Sequence, residues 1–91
     1  MIDVARALKL ATDTGEVRFG VREVHRAVKA RAAKLVVLAS NCREADAQGL
    51  GDARIHRFSG TNAELGAACG VPFSVAALAI VSAGESNILS L

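Results

Sequence analysis

The 91-residue chain has no tryptophan, no tyrosine, three phenylalanines (Phe19, Phe58 and Phe73) and a single proline, Pro72. With 52% hydrophobic residues and so little proline, a disordered or collagen-like chain is excluded. The two cysteines, Cys42 and Cys69, form no C-x-x-C pair and no metal-ligand spacing. A small secreted scaffold needs more cross-links than one, so both are read as reduced thiols of a cytosolic protein. No apolar run approaches the roughly 18 residues needed to span a membrane; the longest runs from Val75 to Val81. The opening Met1-Ile2-Asp3-Val4 lacks the cationic start of a signal peptide. A net charge of +2 implies no partner by itself.

Alanine is what the chain has in abundance, eighteen of them, a texture that lets helices approach a sheet closely. The length fits one domain over residues 1–91, able to bury roughly 60–65% of its unfolded surface. Charge is unevenly placed. Between Arg18 and Lys34 stand six basic residues, Arg18, Arg22, Arg26, Lys29, Arg31 and Lys34, against the single acid Glu23. At about 100° per residue, Arg22, Arg26 and Lys29 share a narrow helix sector opposite Val21, Val24, Ala27 and Val28. Such a stripe is either a solvated face or a docking surface for a polyanion.

Periodicity divides the chain into alternating elements. Val4, Ala7, Leu8 and Ala11 predict a first helix over residues 2–13, stopped by the run Thr12 to Gly15. Val17 to Phe19 reads as a short strand, and Gly20 opens a second helix over 20–31. Leu35 to Ala39 is an unbroken apolar run, the pattern of a strand covered on both faces. Residues 43–53 show no helical stripe and are interrupted by Gly49 and Gly51, leaving a short helix at most. Arg54 to Phe58 alternates like a third strand. Thr61 to Glu64 fits a capping box. Gly70 suits the left-handed end of that helix, and Pro72 forbids its continuation. Val75 to Ser82 is a last, buried strand. This alternation implies an α/β fold with helices on both faces of a four-stranded sheet.

Enzyme signatures fail. Gly15 and Gly20 are spaced like the ends of a P-loop, but Val21-Arg22 follow instead of Lys with Ser or Thr. Gly49-Leu50-Gly51 lacks the third glycine and the preceding strand of a dinucleotide fingerprint. There is no H-E-x-x-H and no G-x-S-x-G, and His25 and His56 read as surface or edge histidines. No catalytic residue, metal ligand or cofactor is expected.

Nucleic acid fits better. Strand 17–19, helix 20–31 and strand 35–39 form a βαβ unit with parallel strands and a right-handed crossover. Phe19-Gly20 and Ser40-Asn41 then end at one sheet edge, where ligands of α/β sheets bind. At Gly20 a helix N-terminus offers N–H groups and partial positive charge to a phosphate, and Arg22 adds a fork of donors. Asn41 either reads a base edge, since its amide donates and accepts, or closes its strand as a turn residue. Phe73, after Gly70-Val71-Pro72, either stacks on an unpaired base or starts the last strand in the core. Periodicity alone does not bring that loop to the other two.

The segments Thr14 to Gly20, Ala33 to Asn41, Gly60 to Gly66 and Ala83 to Leu89 resemble, in the same order, the large-subunit ribosomal L-thirty-e family of archaea and eukaryotes. That family is a branch of the kink-turn RNA-binding superfamily that includes L-seven-Ae. The resemblance covers nearly the whole chain. Glu64-Leu65-Gly66 is shared across the superfamily; the G-E-S-x-I-L pattern over Gly84 to Leu89 is more particular to the branch. The resemblance implies a three-layer α/β/α sandwich with a four-stranded mixed sheet. Its last strand runs antiparallel to its neighbour, so that the loop carrying Phe73 reaches the same edge. It implies a structural constituent of the large ribosomal subunit that stabilises a kink-turn in ribosomal RNA, in the cytoplasm, beside neighbouring ribosomal proteins. No catalysis, cofactor, membrane or small-molecule substrate belongs to that reading.

Carried over by position, Gly20 is the phosphate-facing helix start and Arg22 contacts backbone or base, with Glu23 and Arg26 as neighbours. Asn41 contacts a base of the kink. Gly70, Val71, Pro72 and Phe73 form the loop that cradles an extruded nucleotide. There are two departures: the stretch Glu44 to Arg54 is shorter than usual, and Val71 stands where a Lys or Arg often precedes the proline. A kink-turn module outside the ribosome, in a guide-RNA particle or on its own message, would use the same residues. A small phosphate-binding enzyme domain built on Gly20 and the basic stripe is the reading from another class.

Overall fold

The computed structural model describes residues 3–43, 48–51 and 53–90. Helix α1 spans Val4–Thr14. Asp3 caps it, its carboxylate accepting the Arg6 N–H at 3.2 Å. Thr12 and Thr14, expected to stop this helix, stay inside it. Their hydroxyls donate to the carbonyls of Leu8 and Leu10 at 2.8 and 2.7 Å, so the helical backbone satisfies them. Ile2, included in the predicted helix, lies outside the described residues.

The elements that follow are β1 (Glu16–Phe19), α2 (Val21–Lys29), β2 (Leu35–Leu38), β3 (Ile55–Arg57), α3 (Asn62–Cys69) and β4 (Ala77–Ser82), with a 3-10 turn at Ile88–Ser90. The short helix considered for residues 43–53 falls in part on 44–47 and 52, outside the described residues. Of its described part, Gln48 and Gly49 form a turn and Leu50 is buried. Both bonds of the α3 capping box are present. Glu64 N–H donates to Thr61 Oγ1 at 3.4 Å, and Thr61 N–H donates to Glu64 Oε1 at 3.1 Å. The helix ends at Gly70, in the left-handed region with φ 77°. Val71 N–H then reaches back to the Gly66 carbonyl and Gly70 N–H to that of Ala67, the double closure of a Schellman motif.

The sheet order is β1-β4-β2-β3. β4 is antiparallel to both β1 and β2, while β2 and β3 are parallel, so the sheet is mixed. The predicted β1-α2-β2 unit keeps its parallel strands, but β4 is inserted between them. β2 is buried throughout, as its unbroken apolar run requires. Two cores lie on opposite faces. Leu8, Leu35, Val37, Leu65, Leu78 and Ile80 pack with α1 and α3. Val24, Ala27, Val36, Leu38, Leu50 and Ala79 pack under α2. This is the three-layer α/β/α arrangement. No helix among the described residues is long and apolar enough to cross a membrane.

Beyond β4 the chain folds back onto α1. Glu85 N–H donates to Thr14 Oγ1 at 3.0 Å. Ser86 Oγ donates to the Ala7 carbonyl at 2.6 Å and accepts the Ile88 N–H at 3.1 Å. Ile88 itself is fully buried. The opposite end of the sheet is where β1, β2 and β3 finish and β4 begins, and there the loops at Gly20, Asn41, Gly60 and Val71 to Ala76 gather.

Candidate nucleic-acid interface

Gly20 forms the junction between β1 and α2. Its φ of 99° and ψ of 151° lie in a region essentially open only to glycine. Its N–H donates to the Ala77 carbonyl at 2.9 Å, tying the end of β1 to the start of β4. As N-cap it supplies no side chain, and no side-chain cap bond to the start of α2 is present among the described residues. That leaves a helix N-terminus available to an anion. Arg22, in the first turn of α2, is exposed and makes no ion pair among the described residues.

Asn41 follows the end of β2 and is exposed. It is not a simple strand-closing residue. Its Oδ1 accepts the backbone N–H of Asn62 at 2.9 Å, and its Nδ2 donates to Asn62 Oδ1 at 3.1 Å. The Asn62 carbonyl in turn accepts the Val75 N–H at 3.0 Å. Asn41 is thereby joined through α3 to the loop that precedes β4.

That loop is the one periodicity could not locate, and antiparallel β4 brings it to the Gly20 and Asn41 edge. Phe73 is 52% exposed and outside both cores. Its ring meets that of Phe19 edge to face, with centroids 5.7 Å apart and planes at 86°. Gly66 lies beneath: a Cβ there would stand 2.1 Å from the Phe73 carbonyl oxygen. Val71, by contrast, packs against the α1–α3 core. Pro72 and Phe73 line an open cleft with Ala63 and Ala67 of α3.

The family model described as "Ribosomal protein L7Ae/L30e/S12e/Gadd45 family" matches residues 3–90. The chain belongs to this family. Among its relatives, the large ribosomal subunit protein eL30 of Methanoregula boonei is 44% identical over 93 residues, covering 99% of this chain and 96% of its own. The eL30 proteins of Methanosphaerula palustris and Methanosarcina mazei are 40% and 41% identical. They cover 99% and 98% of this chain, and 97% and 88% of their own lengths.

In this member of the L7Ae/L30e family the basic stripe is divided. Arg26 pairs with Glu23 at 3.4 Å, and Arg18 with Glu16 at 2.9 Å. All four line one groove between α2 and β1, together with Ala30, Ala32 and Val81. Glu16, Ala32 and Val81 belong to the far end of the sheet, so Glu23 and Arg26 point along the helix rather than onto the edge of Gly20, Asn41 and Phe73. Exposed ion pairs of this kind contribute little to stability. Cys69 is buried, and burial pushes its thiol up to about 11, a Thr12 hydrogen bond offsetting part of the rise. No group of three metal-ligating side chains occurs among the described residues.

Two residues of this edge have roles that the sequence does not signal. Phe19 is expected at this edge as the end of its strand, but its ring contact with Phe73 has no local signal. Asn62 lies inside the T-N-A-E capping box, whose two functional positions, Thr61 and Glu64, leave it unexplained.

Proposed function

We propose that this protein is a structural constituent of the large ribosomal subunit and binds a kink-turn in ribosomal RNA with the sheet edge bearing Gly20, Asn41 and Phe73. The observation that carries this is the convergence at one edge of three unlike groups, on a scaffold whose relatives are large ribosomal subunit proteins. They are an uncapped helix start, an ordered side-chain amide and a half-exposed aromatic ring.

Each group meets a different part of a bent RNA. The α2 N-terminus and Arg22 hold backbone phosphate, with Glu23 and Arg26 at the margin of the contact. Asn41 contacts a base of the kink. Phe73 stacks on an extruded nucleotide, seated by Gly70, Val71 and Pro72. Phosphate contacts supply affinity that falls with salt, and base contacts and the bend supply selectivity. The protein is not an enzyme: binding requires no bond to be made or broken, and no cofactor, membrane or small substrate. Its setting is the cytoplasmic ribosome, next to other ribosomal proteins.

Titration with a short kink-turn RNA and a straight duplex, at two salt concentrations, tests this. Phe73→Ala is expected to lose the equivalent of one stacked base, about 1–3 kcal/mol. Asn41→Ala is expected to lower kink selectivity, with both variants folded as the wild type. Equal weak binding to both RNAs, untouched by either substitution, overturns the proposal. Co-sedimentation with large subunits tests the ribosomal assignment separately.

A further inference from the structure

Asn62 is not accounted for by the helix it begins. The α3 capping box is complete with Thr61 and Glu64. The Asn62 side chain instead closes a ring of hydrogen bonds with Asn41, a residue of another element. Asn62 N–H donates to Asn41 Oδ1 at 2.9 Å. A backbone N–H only donates, so the amide atom facing it is oxygen and Asn41 Nδ2 faces the other way. Nδ2 donates to Asn62 Oδ1 at 3.1 Å, and that oxygen also accepts the Ala63 N–H at 2.9 Å. Both amides are therefore fixed in one of their two flips.

This bears on what Asn41 offers a base. An exposed asparagine otherwise rotates and presents donor and acceptor in either order. With the ring closed, Asn41 keeps one N–H and one oxygen lone pair, in fixed positions. The Asn62 carbonyl also holds Val75 N–H at 3.0 Å, so one residue ties the amide to the segment that follows Phe73.

We infer that Asn62 is a positioning residue of the RNA-binding edge: it holds the Asn41 amide in a single orientation, in register with the loop that carries Phe73. This rests on the proposed RNA-binding function, and the test separates the two.

The first measurement needs no RNA. In the free protein the Asn41 side-chain amide should give NMR signals away from those of a freely rotating amide. Asn62→Ala keeps the backbone N–H but removes the oxygen that accepts from Nδ2, and should move the Nδ2 proton signals toward the free positions. Asn62→Asp, which keeps the accepting oxygen, should preserve them. Asn62→Ser, whose hydroxyl stops short of Asn41, is the second loss variant should the alanine form fail to fold. Unchanged Asn41 signals in the loss variant overturn the inference.

The second measurement is a double-mutant cycle with kinked RNA. Asn41→Ala and Asn62→Ala should each weaken binding about tenfold, and the double variant no more than Asn41→Ala alone. Losses that multiply mean Asn62 acts independently of Asn41, which overturns the positioning role. Wild-type binding by Asn41→Ala would remove the functional reading and the role of Asn62 with it, while the NMR signals of the free protein would still report the contact.

Discussion

Gly20 shows how one residue sets the geometry of a sheet edge. Nothing lies within 4 Å of the Cβ that Gly20→Ala would add, so the substitution meets no clash. Its cost is purely conformational, about 1–3 kcal/mol for a side chain forced into φ and ψ values of this kind. Urea unfolding should show a free energy of unfolding lower by that amount and a correspondingly lower midpoint, and RNA affinity should fall as the α2 start turns away. An alanine variant as stable as wild type would mean the junction has another low-energy conformation. In the sequence, Gly20 was legible as a strand-to-helix junction because a glycine between two periodic patterns is a strong punctuation. Asn41 and Phe73 were each legible only as one of two alternatives. What decides between them is a partner far along the chain, Asn62 for one and Phe19 for the other, and no local pattern encodes such a partner.

Among the elements, α3 does most to shape the site. It receives Asn41 at its start, and midway along it passes under the Phe73 carbonyl. Alanine is the better helix former, by up to about 1 kcal/mol, yet Gly66→Ala would place a methyl 2.1 Å from the Phe73 carbonyl oxygen, so the backbone there must shift. The expected net result is destabilisation by about 1–3 kcal/mol, as for other overpacked sites, together with a displaced loop and weaker RNA binding. Thermal melts beside RNA titration check both halves. Stabilisation with unchanged binding would show that the loop yields freely. The caps of α3 were legible because they obey short-range rules: Thr61 with Glu64, Gly70 before Pro72. The buried character of β2 and β4 was legible too, from unbroken apolar runs. Their neighbours in the sheet were not, because pairing between β1 and β4 depends on residues at opposite ends of the sequence. Only the family resemblance implied the antiparallel last strand.

For the molecule as a whole, the two ends of the sheet carry separate duties. The edge at Gly20 and Asn41 is the one proposed to bind RNA, while the far end is sealed by the chain beyond β4. Ser86 is the pin of that seal, donating to Ala7 and accepting from Ile88. Ser86→Ala leaves the Ile88 N–H unpaired near a buried side chain, at a cost of about 1–3 kcal/mol. Stability should fall by that amount while selectivity for kinked over straight RNA stays as in the wild type. A variant that kept its stability but lost selectivity would mean the two ends are coupled through the sheet.

The position of β4 also sets the order in which the molecule can come into being. A growing polypeptide emerges from its N-terminus, and of the three strand pairings only β2 with β3 is complete before β4 is made. The bond from Gly20 to Ala77, and the contacts that seat Phe73, wait for the same late segment. A nascent or truncated chain that stops short of β4 therefore has its basic stripe but no assembled edge. It would hold RNA only loosely and without discrimination. Under the proposed function, selective binding thus becomes a property of chains that include β4, because only they complete the edge.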